Sequence, residues 1–428
     1  MTRSLFANSA FCLTVDSIRL AFTRSVGNQR TRQHCATRRI MLSSLLLTLA
    51  GCGSTEVIKA NSTPAIQAQV ELPEHLYMDI GILPLDPNIP ATEKEQTKKF
   101  VVPDVRRAES QFIAYHMKDT LEQTGNWGAV RVTPNVSEAV DLVVSGMILI
   151  SNGETLKLRL KASDSTGKVW VSKEYKDLAS KYSYKGINED PFQDLYNDFA
   201  NDLLRFRESL SEEKIERIRQ TSSLIFAKSL APDAFGQYLK VSRSGQTSIT
   251  QLPADQDRML SRVTKIKERE YLFVDTLDEY YGQFYRDMKE SYDEWRFATY
   301  EEALNLKEMQ RQSTARLITG GLLIAGGIYA GSESGTYAGD VAAAGAVIGG
   351  IAAVKSGLDK RREAEIHAES LRELSQSLGS EITPYVLDVE GRTIELTGTA
   401  DAQYEQWRGI LQEIYVAETG NASENKVE

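Results

Sequence analysis

Cysteine is confined to the first 52 of 428 residues, at Cys12, Cys35 and Cys52. This excludes a disulfide framework and any thiolate zinc site from the rest of the chain. Histidine is equally scarce: His34, His75, His116 and His367 stand too far apart for metal-ligand spacing, so no metal or other cofactor is expected. Basic charge is also in the minority. The net charge is −9, and because residues 1–51 hold seven arginines against the single acid Asp16, the remainder carries −9 − 6 = −15. An acidic body of this kind excludes nucleic acid as the main partner, since phosphate binding needs a basic face. What the chain does have is length and apolar content, 41% hydrophobic residues, enough for two or three domains with real cores.

The amino terminus reads as an address. Arg38 and Arg39 precede a short apolar run ending Leu49-Ala50-Gly51-Cys52, the cationic, apolar and small-residue order of a secretory signal. The run is far too short for a transmembrane helix, which needs ~20 residues. Residues 1–37 are long for the leading part of such a signal and point to a translation start downstream of Met1. Thr37 to Leu42 is similar to a twin-arginine export motif, with the general secretory route the simpler expectation. The ending resembles the bacterial lipobox, which implies cleavage before Cys52, acylation of its thiol and anchoring in membrane lipid. Gly53 stands where the inner-membrane retention signal has aspartate, so the resemblance implies an outer-membrane lipoprotein facing the periplasm.

Beyond a polar tether over 52–74, a first folded unit is expected over 75–180. Ile80 to Leu85 reads as a strand, and Phe112, Ile113, His116, Met117 and Leu121 fall on one face of a helix closed by Gly125. Ala129 to Thr133 is a second strand. Three alternating segments follow, Leu142–Ser151, Glu154–Asp164 and Lys168–Asp177, joined by turns at Asn152-Gly153 and Asp164 to Gly167. The turn at Asp164 to Gly167 is expected to tolerate change better than the strand Leu142 to Ser145. The order strand, helix, strand, meander, with Ile80 to Leu85, Asp141 to Gly146 and Asp164 to Val169 as its marks, resembles the small α/β domain of the CsgG, LpoB and TolB amino-terminal families. That resemblance implies a non-enzymatic assembly or protein-binding role in the envelope, and, through the LpoB type, the alternative of a regulator that activates a peptidoglycan synthase.

From Pro191 the pattern turns helical over 191–316. Phe192, Leu195, Tyr196, Phe199, Leu203 and Phe206 form one stripe, and Ser209 with Glu212 reads as a capping box. Tyr271 to Tyr300 carries ten aromatics among acids, a pattern that suits either helix packing or a sugar-binding groove. Residues 317–357 hold eleven of the 29 glycines. Gly327, Gly331, Gly335 and Gly339 recur at every fourth position, as do Gly345 and Gly349, which places them on helix faces that allow close backbone approach. Two apolar arms, Leu317 to Ala330 and Val341 to Val354, read as a helical hairpin that resembles a glycine zipper. Each arm reaches about 21 Å against a hydrocarbon core of ~30 Å, so membrane insertion and burial inside a bundle or oligomer both stand as expectations.

Residues 358–417 read as a charged helix, a hairpin across Glu390-Gly391 and a closing helix, resembling half of a BON module, with a polar tail over 418–428. Apparent phosphate-loop and hydrolase motifs lack required members: Val354 replaces the glycine before Lys355, and Glu333 occupies the serine position of a nucleophile elbow. The fold class expected is α+β: a small α/β domain, a helical region with the glycine-rich hairpin, and a carboxyl-terminal β-hairpin and helix. The function expected is that of an outer-membrane lipoprotein without enzymatic activity, working through contacts with envelope proteins and with its own copies as a homo-oligomer.

Overall fold

The computed structural model describes residues 62–99, 101–180, 182–184, 189–254, 257–329, 372–373, 385–389 and 392–419. The fold is α+β, built on one five-stranded mixed sheet. Strand β1 (Ile80–Ile82) leads through helices α1 (Glu93–Lys98) and α2 (Pro103–Gln123) to β2 (Val130–Val132), followed by β3 (Leu142–Ser151), β4 (Thr155–Asp164) and β5 (Val169–Leu178). Their order is β2-β1-β3-β4-β5. Strand β1 runs parallel to both neighbours, with Ile80 opposite Val130 and Leu142, while β3, β4 and β5 form an antiparallel meander.

Sequence explains most of these elements. Pro103 opens α2, where a missing N–H costs nothing, and Asp104 in the first turn complements the helix dipole. Phe112, Ile113, Met117 and Leu121 are all buried as their spacing requires. In the meander, alternate residues such as Leu156, Leu158, Leu160 and Ala162 face inward. Gly153 turns the β3–β4 hairpin at φ +75°, and a Cβ there would stand 2.2 Å from the Arg296 carbonyl oxygen. The Asn-Gly pair therefore also makes room for the backbone of a helix.

Helix α3 (Gln193–Glu208) lays its stripe of Leu195, Tyr196, Phe199 and Leu203 into the core. The expected capping box is corrected. Ser209 closes α3, its hydroxyl donating to the Phe206 carbonyl, and α4 (Glu212–Leu230) starts from Ser211 without a side-chain cap. A small hairpin of β6 (Leu239–Val241) and β7 (Thr247–Ile249) follows; no periodic signal marks it.

Helix α5 (Arg258–Tyr329) spans 72 residues, about 110 Å at 1.5 Å per residue. Asp257 caps it, accepting from the Met259 and Leu260 amides at 2.8 and 3.0 Å. Ile266, Glu270, Phe273, Leu277, Tyr281, Phe284 and Met288 are buried at every third or fourth position, so the aromatic-rich stretch serves helix packing. Against α2 it builds a second cluster in which Phe112 meets Tyr285 and Tyr292 at centroid distances of 4.4 and 4.7 Å. Strands β8 (Tyr385–Val389) and β9 (Arg392–Leu396) and helix α6 (Ala400–Thr419) match the expected hairpin and closing helix. Tyr404 donates to buried Glu270 at 2.9 Å, and Trp407 lies against Phe273, docking α6 on the start of α5. One continuous core joins the sheet to α2, α3, α4, α5 and α6. The 75–180 segment thus shares its hydrophobic core with the helices that follow.

Buried charge is concentrated between α2, the β3–β4 hairpin and α5. Arg106 pairs with Glu109 at 2.6 Å, and Glu109 also accepts from Ser151 and Tyr292. Arg296 pairs with Asp190 at 2.8 Å with both side chains 1% exposed. Burial pushes the Asp190 carboxyl up, but Arg296 and His116 outweigh it and hold the group down at about 2.

Candidate functional site

Cys52 and the glycines Gly331, Gly335, Gly339, Gly345 and Gly349 lie outside the described residues. Gly327 lies on α5, which continues without a break from the packed segment through Leu317 to Tyr329, so the described part of the first glycine-rich arm is helical. Among the described residues no helix is long and apolar enough to cross a membrane.

Two arrangements not singled out from the sequence carry chemistry. The first is an extended strap, Thr63 to Ala68, bound to α3 and the loop after α2. Asp194, Asn197 and Asn201, at helical spacing on the flank of the apolar stripe, are all buried. Asp194 accepts from the Thr63 amide at 2.8 Å, and Asn197 donates to the Thr63 carbonyl at 2.9 Å. Asn201 bonds twice, donating to Pro64 O at 3.0 Å and accepting from Ile66 N at 2.8 Å. Asn126 donates to Ile66 O, and the Ala68 amide donates to Thr124 O, each at 2.8 Å. Every bond engages the strap's backbone, so its hold depends on extended conformation more than on side chains. The segment expected to be a polar tether through Glu74 is therefore fixed to the body from Thr63 onward.

The second arrangement is a cleft of about 350 Å³ where the starts of β1 and β3 meet α4 and α5. Asp79 and Asp141 stand one residue before parallel strands, which brings their carboxyls to the same sheet edge. Arg219 and Leu224 reach the cleft from α4, while Leu260, Thr264, Lys267 and Tyr271 form one face of α5. Asp141 is buried and fully engaged, accepting from the Asp79 amide at 3.0 Å and from Ser222 Oγ at 2.5 Å. Burial raises its pKa, with the Ser222 bond and the Lys267 charge opposing. Asp79 accepts from the Ala129 amide at 2.9 Å. Tyr271 donates to the Ala139 carbonyl at 2.9 Å.

The cations of the cleft are less well served. Arg219 Nε lies 3.8 Å from Asp141 Oδ2, and its Nη1 donates to Glu74 O at 3.1 Å. Among the described residues the Lys267 ammonium has neither hydrogen bond nor ion pair, and it lies 5.4 Å from the Tyr271 ring centre. Burial lowers its pKa, with Asp141 and Asp79 pulling the other way. Among the described residues no group of three or more His, Cys, Asp or Glu side chains is placed to hold a metal ion.

No protein-family model, curated protein or solved structure matches this chain. The cleft and the strap therefore speak through their own chemistry. Asp141 was visible in the sequence only as part of a strand motif, and Lys267 only as one of many charges on a helical stretch. The one sequence signal for the strap's receptor was the polar row 194, 197, 201 beside an apolar stripe; that it is buried needs the tertiary structure.

Proposed function

We propose that the protein is a lipid-anchored component of the outer membrane, facing the periplasm, that acts by contacts with envelope proteins and by self-association. The observation that carries this reading is the strap. With Thr63 bound to α3, the chain back to Cys52 reaches at most about 40 Å when fully extended. An acylated Cys52 would therefore keep the folded body beside the bilayer instead of on a long leash. Helix α5 supplies a long rigid element from that body into the glycine-rich segment, whose four-residue spacing suits close helix contact. Anchor, short leash and long helix together fit a scaffold that presents one face at a fixed height above the membrane.

Intact-mass measurement of membrane-extracted protein should find the acyl increment on Cys52, and Cys52→Ala should release the chain from membranes. Crosslinking in intact cells should trap homo-oligomers that Gly331→Leu, Gly335→Leu and Gly345→Leu abolish while anchoring persists. An unmodified chain retaining residues 38–51, or leucine variants that crosslink as well as the parent, would refute the proposal.

A further inference from the structure

We propose that the cleft between the starts of β1, β3, α4 and α5 is a binding site for a carboxylate carried on a short apolar stem. The cleft's polar groups are unequally matched. Its two acids are occupied from within: Asp141 by a backbone amide and the Ser222 hydroxyl, and Asp79 by the Ala129 amide. Its two bases keep donors to spare. Lys267 offers three N–H donors with no acceptor among the described residues, and Arg219, which gives Nη1 to Glu74 O at 3.1 Å, reaches Asp141 only at 3.8 Å. Both cations line the cleft half-buried, Lys267 on α5 and Arg219 on α4. Excess donors facing an open space call for an acceptor-rich anion, and a carboxylate can take bonds from both bases at once.

The rest of the lining selects among anions. Leu224, Leu260 and Pro253 give one apolar wall, and Leu252 stands at the cleft, half-exposed at 50%. A phosphate or sulfate would leave that wall uncovered, whereas an acid bearing a branched aliphatic group would cover it. The volume of about 350 Å³ is at the small end of ligand sites, which run from ~300 Å³ upward. It admits one amino-acid-sized group. Two sources share this chemistry: a free small acid and the last residue of a peptide chain, whose terminal carboxylate and apolar side chain present the same features.

The test is titration calorimetry on the full chain, lipid anchor retained, in mild detergent. N-acetyl-leucine is the probe for the shared chemistry, and N-acetyl-leucinamide, of the same shape without the charge, is its control. The acid should bind saturably with a Kd on the order of 1 mM, and the amide at least about tenfold more weakly. Lys267→Met should cost the acid about tenfold and leave the amide unchanged, while Lys267→Arg should retain binding. Lys267→Gln, closer in shape, makes the same comparison if Lys267→Met lowers the melting temperature. Leu252→Asp should weaken the acid through both wall and charge. N-acetyl-Ala-Ala-Leu separates the sources: binding equal to or tighter than N-acetyl-leucine assigns the cleft to chain termini, and its exclusion assigns it to free acids. Equal binding of acid and amide, no saturation with either carboxylate, or full affinity in Lys267→Met would overturn the assignment.

Discussion

Replacing Asn201 by alanine should free the strap while leaving the body folded. Asn201 makes two of the six hydrogen bonds that fix residues 63–68, to Pro64 O at 3.0 Å and from Ile66 N at 2.8 Å. Neutral hydrogen bonds contribute about 1 kcal/mol net each, so the loss is about 2 kcal/mol in the local opening equilibrium. That corresponds to roughly a thirtyfold rise in the open population of the strap. Because Ile66 is 45% exposed, little apolar burial accompanies those bonds to resist the change. Hydrogen exchange read by mass spectrometry at the amides of Thr63, Ile66 and Ala68 measures it directly. Adding Asn197→Ala removes the bond to Thr63 O and should bring the loss to about 3 kcal/mol, with protection in β3 and β4 unchanged. Unchanged exchange of the strap in the double variant, or a loss of protection spread equally over β3 and β4, would refute the view of the strap as a separately releasable element.

Gly153→Ala should destabilise the whole fold by more than about 2 kcal/mol, because it combines a left-handed backbone at φ +75° with a Cβ driven into the Arg296 carbonyl; chemical denaturation measures this. Asp190→Ala leaves buried Arg296 with Asp293 as its one remaining ion-pair partner among the described residues and should cost about 3 kcal/mol by the same assay. The depressed pKa of Asp190 gives stability that is complete above its ordinary value near 4 and is lost as pH falls through about 2, so about 2 kcal/mol should disappear over that window in acid titration of the melting temperature, and not in Asp190→Asn. At the β4–β5 turn, Asp164→Ala should cost stability in the same denaturation assay, because its carboxylate accepts from the Thr166 amide at 2.9 Å and from Trp170 Nε1 at 2.7 Å.

Local chemistry by itself determined much of this protein. Alternation and an Asn-Gly turn specified the meander from Leu142 to Leu178, the stripe from Phe112 to Leu121 specified α2, and the spacing from Val386 onward specified the closing hairpin and helix. These features rest on neighbours within one element, where periodicity carries the information. Lipidation at Cys52 and the glycine contacts from Gly327 to Gly349 were equally explicit as patterns, and they stand here as proposals. Tertiary structure alone decided three things. It bound the supposed tether to Asp194, Asn197 and Asn201, a contact across more than 130 residues in which the strap contributes only backbone. It merged the sheet and the later helices into one core, since an apolar stripe on α5 does not say which surface it will cover. And it set Asp141, Arg219 and Lys267 around one cleft. Their charges are ordinary in sequence, and only the packing of α4 and α5 on the sheet edge half-buries Lys267 in one cleft with Arg219, Asp79 and Asp141, with no hydrogen-bond acceptor for it among the described residues.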